Sequence, residues 1–154
     1  MSLPTYSNTY DAVEAMQDAF TDFWGNQTIQ PKLSYDNVDL DVPGTDLTMT
    51  SSDSDVSGEG FALVQVVHAT GNIAALGTKM FRQIGIMNIA IYVETNKGRK
   101  RAGGKIADQA LDFFQTENIA GVTFQNPRMN EVGNDGRWYQ VNVTSDFLYD
   151  IVRS

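Results

Sequence analysis

The residues of this sequence that could do chemistry are most concentrated in one glycine-rich basic stretch, TNKGRKRAGG, at 95–104. Glycines followed by a lysine can cradle a phosphate when they follow the pattern Gly-x-x-x-x-Gly-Lys-Ser/Thr. Here Gly104 and Lys105 fit the second half of that pattern, but Arg99 and Lys100 occupy the places where the first glycine would stand. Ile106 replaces the hydroxyl that would bind magnesium. The stretch therefore does not predict a nucleotide site.

The same stretch places Arg99, Lys100, Arg101 and Lys105 at the N-terminal end of a predicted helix. The helix dipole favours negative charge at that end, so these cations lie against its preference. They also stand out in a chain with a formal net charge of −8. One interpretation is a solvated loop, and the other is a contact with an acidic surface on another chain. These four residues are our candidate partner-binding residues.

The remaining chemistry-bearing residues do not assemble into a recognisable site. The sequence has no cysteine, which excludes disulfides, thiol catalysis and Cys-ligated metals. Asp39 and Asp41 have the spacing of calcium ligands, but Pro43 occupies the third ligand position and Thr50 stands where a glutamate belongs. The single histidine, His68, lies in an apolar run and reads as a strand residue. We predict no catalytic residue, no cofactor and no metal.

The composition indicates one globular domain over residues 1–154. Hydrophobic residues make up 42% of the chain and charged residues 19%. A net charge of −8 disfavours binding to a phosphate backbone, which depends on Lys and Arg displacing counterions. The sequence contains no run of 18 or more apolar residues, so it predicts no transmembrane helix.

The elements that would position the basic stretch follow from hydrophobic periodicity. Apolar residues three or four apart predict a helix over 9–24, which Asp11 and Glu14 would cap, and a second helix over 105–117. Residues 26–45 carry Pro31, Pro43 and Gly44, so they predict an extended arm with little regular structure. The serine-rich acidic segment 51–60 predicts a mobile loop.

The centre and end of the chain read as strands. Alternation and β-branched residues predict strands at 61–69, 73–80, 83–94, 119–125 and 137–149, with a turn region at 126–136. In the last strand Tyr139, Val141 and Val143 share one face, while Gln140 and Asn142 share the other. The order helix, strands, helix, strands predicts an α+β fold with a mostly antiparallel sheet and two helices packed on one face.

Four stretches of the sequence resemble the tail terminator proteins of long-tailed, lambda-like bacteriophages. Three are similar to that family's central hairpin, long strand and terminal strand, and one to its glycine loop and second helix. They are FALVQVVHATG, QIGIMNIAIYV, GRWYQVNVTSDFLYD and NKGRKRAGGKIADQALDFF. The resemblance runs from Phe61 onward and more loosely over the first helix.

The resemblance implies a structural virion protein that is not an enzyme and needs no cofactor. Such proteins form a hexameric ring that caps the tail tube, stops tube polymerisation and presents a surface for head joining. The expected partners are the major tail tube protein and head-completion or neck proteins, with DNA passing through the lumen and no membrane involved. The chain would then be made in the host bacterial cytoplasm and reside at the head-proximal end of the tail. The alternatives are another neck or tube subunit, or a small α+β enzyme.

Overall fold

The structure is a computed structural model that describes residues 6–35, 47–52, 58–69, 72–75, 80–94, 99–116, 119, 121–134 and 136–152, without the side chains of 72–75 and 99–101. These residues form two helices and eight strands. The helices are α1 (Thr9–Trp24) and α2 (Arg99–Thr116). The strands are β1 (Ile29–Gln30), β2 (Lys32–Tyr35), β3 (Thr50–Ser51), β4 (Gly60–His68), β5 (Asn72–Ala75), β6 (Met80–Glu94), β7 (Val122–Asn134) and β8 (Trp138–Val152).

Six of these strands form the main sheet. Its order is β2-β4-β6-β8-β7, and β5 pairs with the beginning of β6. All pairs are antiparallel except β2 with β4, which is parallel. The two long strands β6 and β8 pair from Met80 with Val152 to Glu94 with Trp138, so they form the centre of the sheet. Strands β1 and β3 form a separate two-stranded pair.

Helix α1 has the bounds that the periodicity predicts, but a different residue caps it. The Asn8 side chain accepts a hydrogen bond from the Asp11 N–H at 2.8 Å, so Asn8 is the N-cap where Asp11 had been expected to take that role. A stripe of residues four apart is buried, and it consists of Ala12, Met16, Phe20 and Trp24. The helix ends at Trp24, as predicted, and Gly25 is its C-cap.

Helix α2 begins earlier than the sequence predicts, because the glycine-rich residues 99–104 are helical. Gly103 explains the misreading. A Cβ on Gly103 would lie 3.0 Å from two ring carbons of Tyr139, so the glycine lets the helix approach β8 closely. Residues 99–104 of the predicted loop therefore form the first turns of the helix, where Gly103 serves packing, and residues 95–98 lie outside the described residues.

Strand β7 occupies most of the predicted turn region. Pro127 and Asn126 suggest a turn, yet they lie in a strand whose register shifts between Gln125 and Arg128. Asn126 has a φ of 54° at this bulge. Because β7 is an edge strand, it tolerates a residue without an N–H and a local bulge. Neither residue therefore ended the strand.

The predicted arm at 26–45 and the serine-rich acidic segment at 51–60 contain more secondary structure and more backbone hydrogen bonds than predicted. The arm 26–45 contributes β1 and β2, because β2 can complete the sheet edge by pairing with β4. In the segment 51–60, Ser52 N–H donates to the Thr28 carbonyl and Glu59 N–H donates to Glu94 Oε1. The remaining parts of both predictions, residues 36–45 and 53–57, lie outside the described residues.

The fold is α+β, as the element order predicts, with both helices on one face of the sheet. Their buried stripes join the inward residues of β4, β6 and β8 in a single apolar cluster. Phe20 of α1 contacts Phe113 of α2 edge-on, with ring centroids 5.0 Å apart. In β8 every second residue from Tyr139 to Ile151 is buried, so the predicted alternation is confirmed. We call the opposite face the open face.

Candidate partner-binding surface

The four predicted partner-binding residues occupy the first two turns of α2. The backbone of Arg99, Lys100 and Arg101 forms its first residues, and their side chains lie outside the described part of the chain. Lys105 follows and is half-buried. The first turn of α2 contains no acidic residue, so the cations still lie against the preference of the dipole.

The start of α2 lies at one end of the sheet, beside the start of β8. The short distance between Gly103 and the Tyr139 ring fixes this position. Burial, with a contribution from Glu131, raises the pKa of the Tyr139 hydroxyl. The backbone that carries the predicted cations therefore lies at the end of the sheet where β6 ends and β8 begins.

The same end of the sheet carries three aromatic side chains on the open face. Phe61 of β4 pairs with Tyr92 of β6, and their rings stack with centroids 4.7 Å apart. Trp138 meets the Phe61 ring edge-on at 5.1 Å. All three side chains are half-buried. We call Phe61, Tyr92 and Trp138 the aromatic cluster.

Charged side chains surround the aromatic cluster. The Arg137 guanidinium lies 4.8 Å from the centre of the Trp138 ring, within range of a cation–π interaction. The Arg137 Nη2 atom is 3.8 Å from Glu59 Oε2, and the Arg137 side chain is 66% exposed. On the opposite side of the cluster, Lys32 of β2 is the register partner of Phe61, and its side chain is exposed. Cations therefore flank the cluster on both sides.

A shallow cleft opens between the aromatic cluster and β7. It measures about 120 Å³, and its lining residues are Tyr92, Val132, Gly133, Asn134, Trp138 and Gln140. Small-molecule sites usually measure about 300–1,000 Å³. The cleft is therefore large enough for one side chain of a partner protein but too small for a cofactor.

The middle of the open face is a band of hydrogen-bonded amides and hydroxyls. Thr144 Oγ1 donates to Asn88 Oδ1 at 2.8 Å, and Gln140 Nε2 donates to Asn142 Oδ1 at 2.9 Å. Beyond this band two apolar side chains face solvent, with Val67 60% exposed and Ile86 40% exposed. They are cross-strand partners, so they form one small apolar patch.

The far end of the sheet holds its charges in pairs. Arg82 forms two hydrogen bonds with the Asp150 carboxylate, at 2.9 and 3.2 Å. Arg128 lies 3.2 Å from Asp146. Both cations therefore have a carboxylate partner, as Arg137 has Glu59 at the end with the aromatic cluster.

His68 occupies the covered face, in agreement with its reading as a strand residue. Its Nε2 hydrogen-bonds the Tyr149 hydroxyl, and its ring meets the Phe147 ring edge-on. Burial lowers the pKa of His68, whereas burial and the nearby Tyr6 raise the pKa of Tyr149 to about 12. His68 is thus part of the packing around Tyr149.

Helix α1 exposes a second charged surface on the covered side of the molecule. Its acidic residues lie three or four apart, which places them on one side of the helix. They are all exposed, and α1 contains no basic residue. We call this set the acidic stripe, and its members are Asp11, Glu14, Asp18 and Asp22.

Two classes of site receive no support from the described residues. They contain no group of three or more His, Cys, Asp or Glu side chains that could hold a metal ion. None of the helices in the described part of the chain is long and apolar enough to cross a membrane.

The basic residues at the start of α2 stand out in the sequence, whereas the aromatic cluster at the same end of the sheet was not predicted. One signal was available in the last strand. Trp138 is in phase with the polar residues Gln140 and Asn142, so an aromatic residue occupied the polar face. Phe61 and Tyr92 gave no such signal, because their pairing depends on the register of two distant strands.

Comparison with known proteins supports the fold. No protein-family model matches the chain, and no curated protein matches it. Among the solved structures that are similar, one has a TM-score of 0.58 and 12% sequence identity, and the match covers 88% of this chain and 94% of the other. At this identity the likeness concerns the fold alone.

Proposed function

We propose that the chain is a tail terminator, a structural subunit that forms a closed ring of six copies on the end of a phage tail tube. The ring stops tube polymerisation and presents the surface that joins the head. Its partners are further copies of itself, the major tail tube protein and the head-completion proteins. The kind of assembly comes from the resemblance in the four stretches from Phe61 onward.

The observation that carries the proposal is the one-sided covering of the sheet. Both helices pack on one face, and the open face carries the aromatic cluster and the exposed pair Val67 and Ile86. Aromatic residues and arginine on an accessible face are typical of protein interfaces. A ring subunit uses such a face for contact with its neighbours or with the tube.

The electrostatics also suit a ring through which DNA passes. The chain has a net charge of −8, so the subunit as a whole repels a phosphate backbone. DNA can then move through the lumen without being held. The cations at 99–105 are left to bind an acidic protein surface on the tube or on a neighbouring subunit.

The test is complementation of a phage that lacks this gene, with the variant R99E/K100E/R101E. Like charges that face each other across an interface cost several kcal/mol of binding free energy, whereas deletion of a rim contact costs under about 1 kcal/mol. Charge reversal should therefore give a larger effect than substitution by alanine. We expect the variant to fold, as seen by circular dichroism, and to give tails of abnormal length that do not join heads. The triple alanine variant is the milder comparison.

Electron microscopy of the tails distinguishes the proposal from its alternatives. A tail terminator occurs once, as a ring at the head-proximal end. Repetition of the chain along the tube would identify a tube subunit. If the triple-glutamate variant folds and gives normal tails, Arg99, Lys100 and Arg101 do not lie in the interface.

A further inference from the structure

The aromatic cluster has the composition of an interface anchor. Trp, Tyr and Arg dominate the binding energy of protein interfaces, and Tyr92, Trp138 and Arg137 lie together here. The cluster lies on the open face, opposite both described helices. Its flanking cations Lys32 and Arg137 are exposed.

The exposed cations on both sides of this cluster suit an acidic occupant. In the sequence, Arg99, Lys100 and Arg101 begin α2 at the same end of the sheet. Glu59 and Glu94 offset part of this charge, and the Glu94 carboxylate already accepts a hydrogen bond from the backbone N–H of Glu59. Among the described residues, the charged side chains most exposed beside the cluster are therefore the cations Lys32 and Arg137, whereas Glu59 and Glu94 are half-buried.

This chain itself offers a surface of the required chemistry. The acidic stripe on α1 is exposed and has no cation within its helix. Tyr10 lies beside it and is 73% exposed, which supplies an aromatic side chain next to the carboxylates. An acidic helix with an adjacent aromatic residue complements an aromatic cluster with flanking cations.

We infer that the occupant of the aromatic cluster is the acidic stripe of a second copy of this chain. The inference deepens the proposed function, on which it rests, by naming the two surfaces that meet between neighbouring subunits. Carboxylates of the stripe pair with Lys32 and Arg137, and Tyr10 packs against the aromatic cluster.

The position of the two surfaces makes the contact heterologous. The acidic stripe lies on the helix layer and the aromatic cluster on the open face of the sheet. A subunit can therefore use one surface toward each neighbour, in a head-to-tail order. Head-to-tail contacts that close generate rings rather than two-fold dimers.

The experiment uses two charge-reversed chains in the complementation assay. The variant E14K/D18K makes the stripe basic, and K32E/R137E makes the cluster's surroundings acidic. Alone, each should weaken subunit association by roughly 100-fold, since like charges face each other, and should leave tails uncapped. Circular dichroism of each purified variant confirms folding.

Co-expression of the two variants is the decisive arm. In an alternating ring, every contact joins either two reversed surfaces or two native ones, so both kinds attract. Alternation closes in a ring with an even number of copies, as six is. We therefore expect co-expression to restore tails of normal length, and a single chain that carries all four changes should do the same.

The matched control is D108K/D112K, which reverses two exposed carboxylates on α2. It should cap tails like the native chain. The inference is overturned if either reversed variant alone caps normally, if the control fails as they do, or if co-expression does not restore capping. Failure of rescue while the native chain still caps tails would disprove only this pairing, whereas absence of the native chain from tail ends would disprove the proposed function.

Discussion

The two faces of the main sheet differ in how completely their side chains are used within one subunit. On the covered face, Phe20, Phe113 and Tyr149 are almost fully buried and belong to one apolar cluster. On the open face, aromatic residues of similar size are half-buried. Covered-face residues should therefore determine stability, and open-face residues should determine assembly.

The largest expected effect is on the covered face, for Phe20→Ala. Phe20 is fully buried, and its ring centroid lies 5.2 Å from that of Trp24 and 5.0 Å from that of Phe113. Its truncation should lower the free energy of unfolding by about 3–5 kcal/mol, measured by denaturant titration of the purified chain. A loss well under about 1 kcal/mol would mean that α1 is peripheral to the core.

A second covered-face prediction concerns Gly85, which makes room for the backbone of β4 and for the Phe147 ring. A Cβ there would lie 2.2 Å from the Val67 carbonyl oxygen and 2.6 Å from Cζ of Phe147. Gly85→Ala should therefore lower the free energy of unfolding by about 1–3 kcal/mol. The matched control is Gly104→Ala in α2, where a Cβ meets nothing within 4 Å and should stabilise the chain by about 0.5–1 kcal/mol. Equal effects at the two glycines would contradict the packing around Phe147.

On the open face, Trp138→Ala should separate stability from assembly. The change removes the edge-on contact with Phe61 and the cation–π contact with Arg137, so we expect a loss of about 1 kcal/mol in the free energy of unfolding. Tail capping should fail nevertheless, because the proposed anchor is gone. A loss as large as that of Phe20→Ala would place Trp138 in the core and remove the difference between the faces.

The smallest expected effect is a pH dependence from His68. Its folded pKa lies below the unfolded value of about 6.5, so the folded state favours the neutral ring. This contribution to stability is fully present above pH 6.5 and is lost as the pH falls through the folded pKa. Denaturant titrations between pH 7.5 and about 5 should show a steeper loss for the native chain than for His68→Asn. Identical slopes would show that His68 is solvated.

The elements that periodicity alone predicts agree best with the structure. Helix α1 and the alternation of β8 were predicted correctly, because one buried face dictates both patterns. Gly103 and Pro127 look like loop residues in isolation, although the glycine permits close packing of a helix and the proline lies in an edge strand. The aromatic cluster depends on the pairing of β4, β6 and β8, which no local pattern encodes.

Cryo-electron microscopy of phage tails assembled in the presence of this chain is the most direct test of the proposal that it is a tail terminator. The account predicts one closed ring of six copies at the head-proximal end, with the open-face cluster of each copy against the α1 helix of the next. Copies repeated along the tube, or a tail end without this chain, would contradict it.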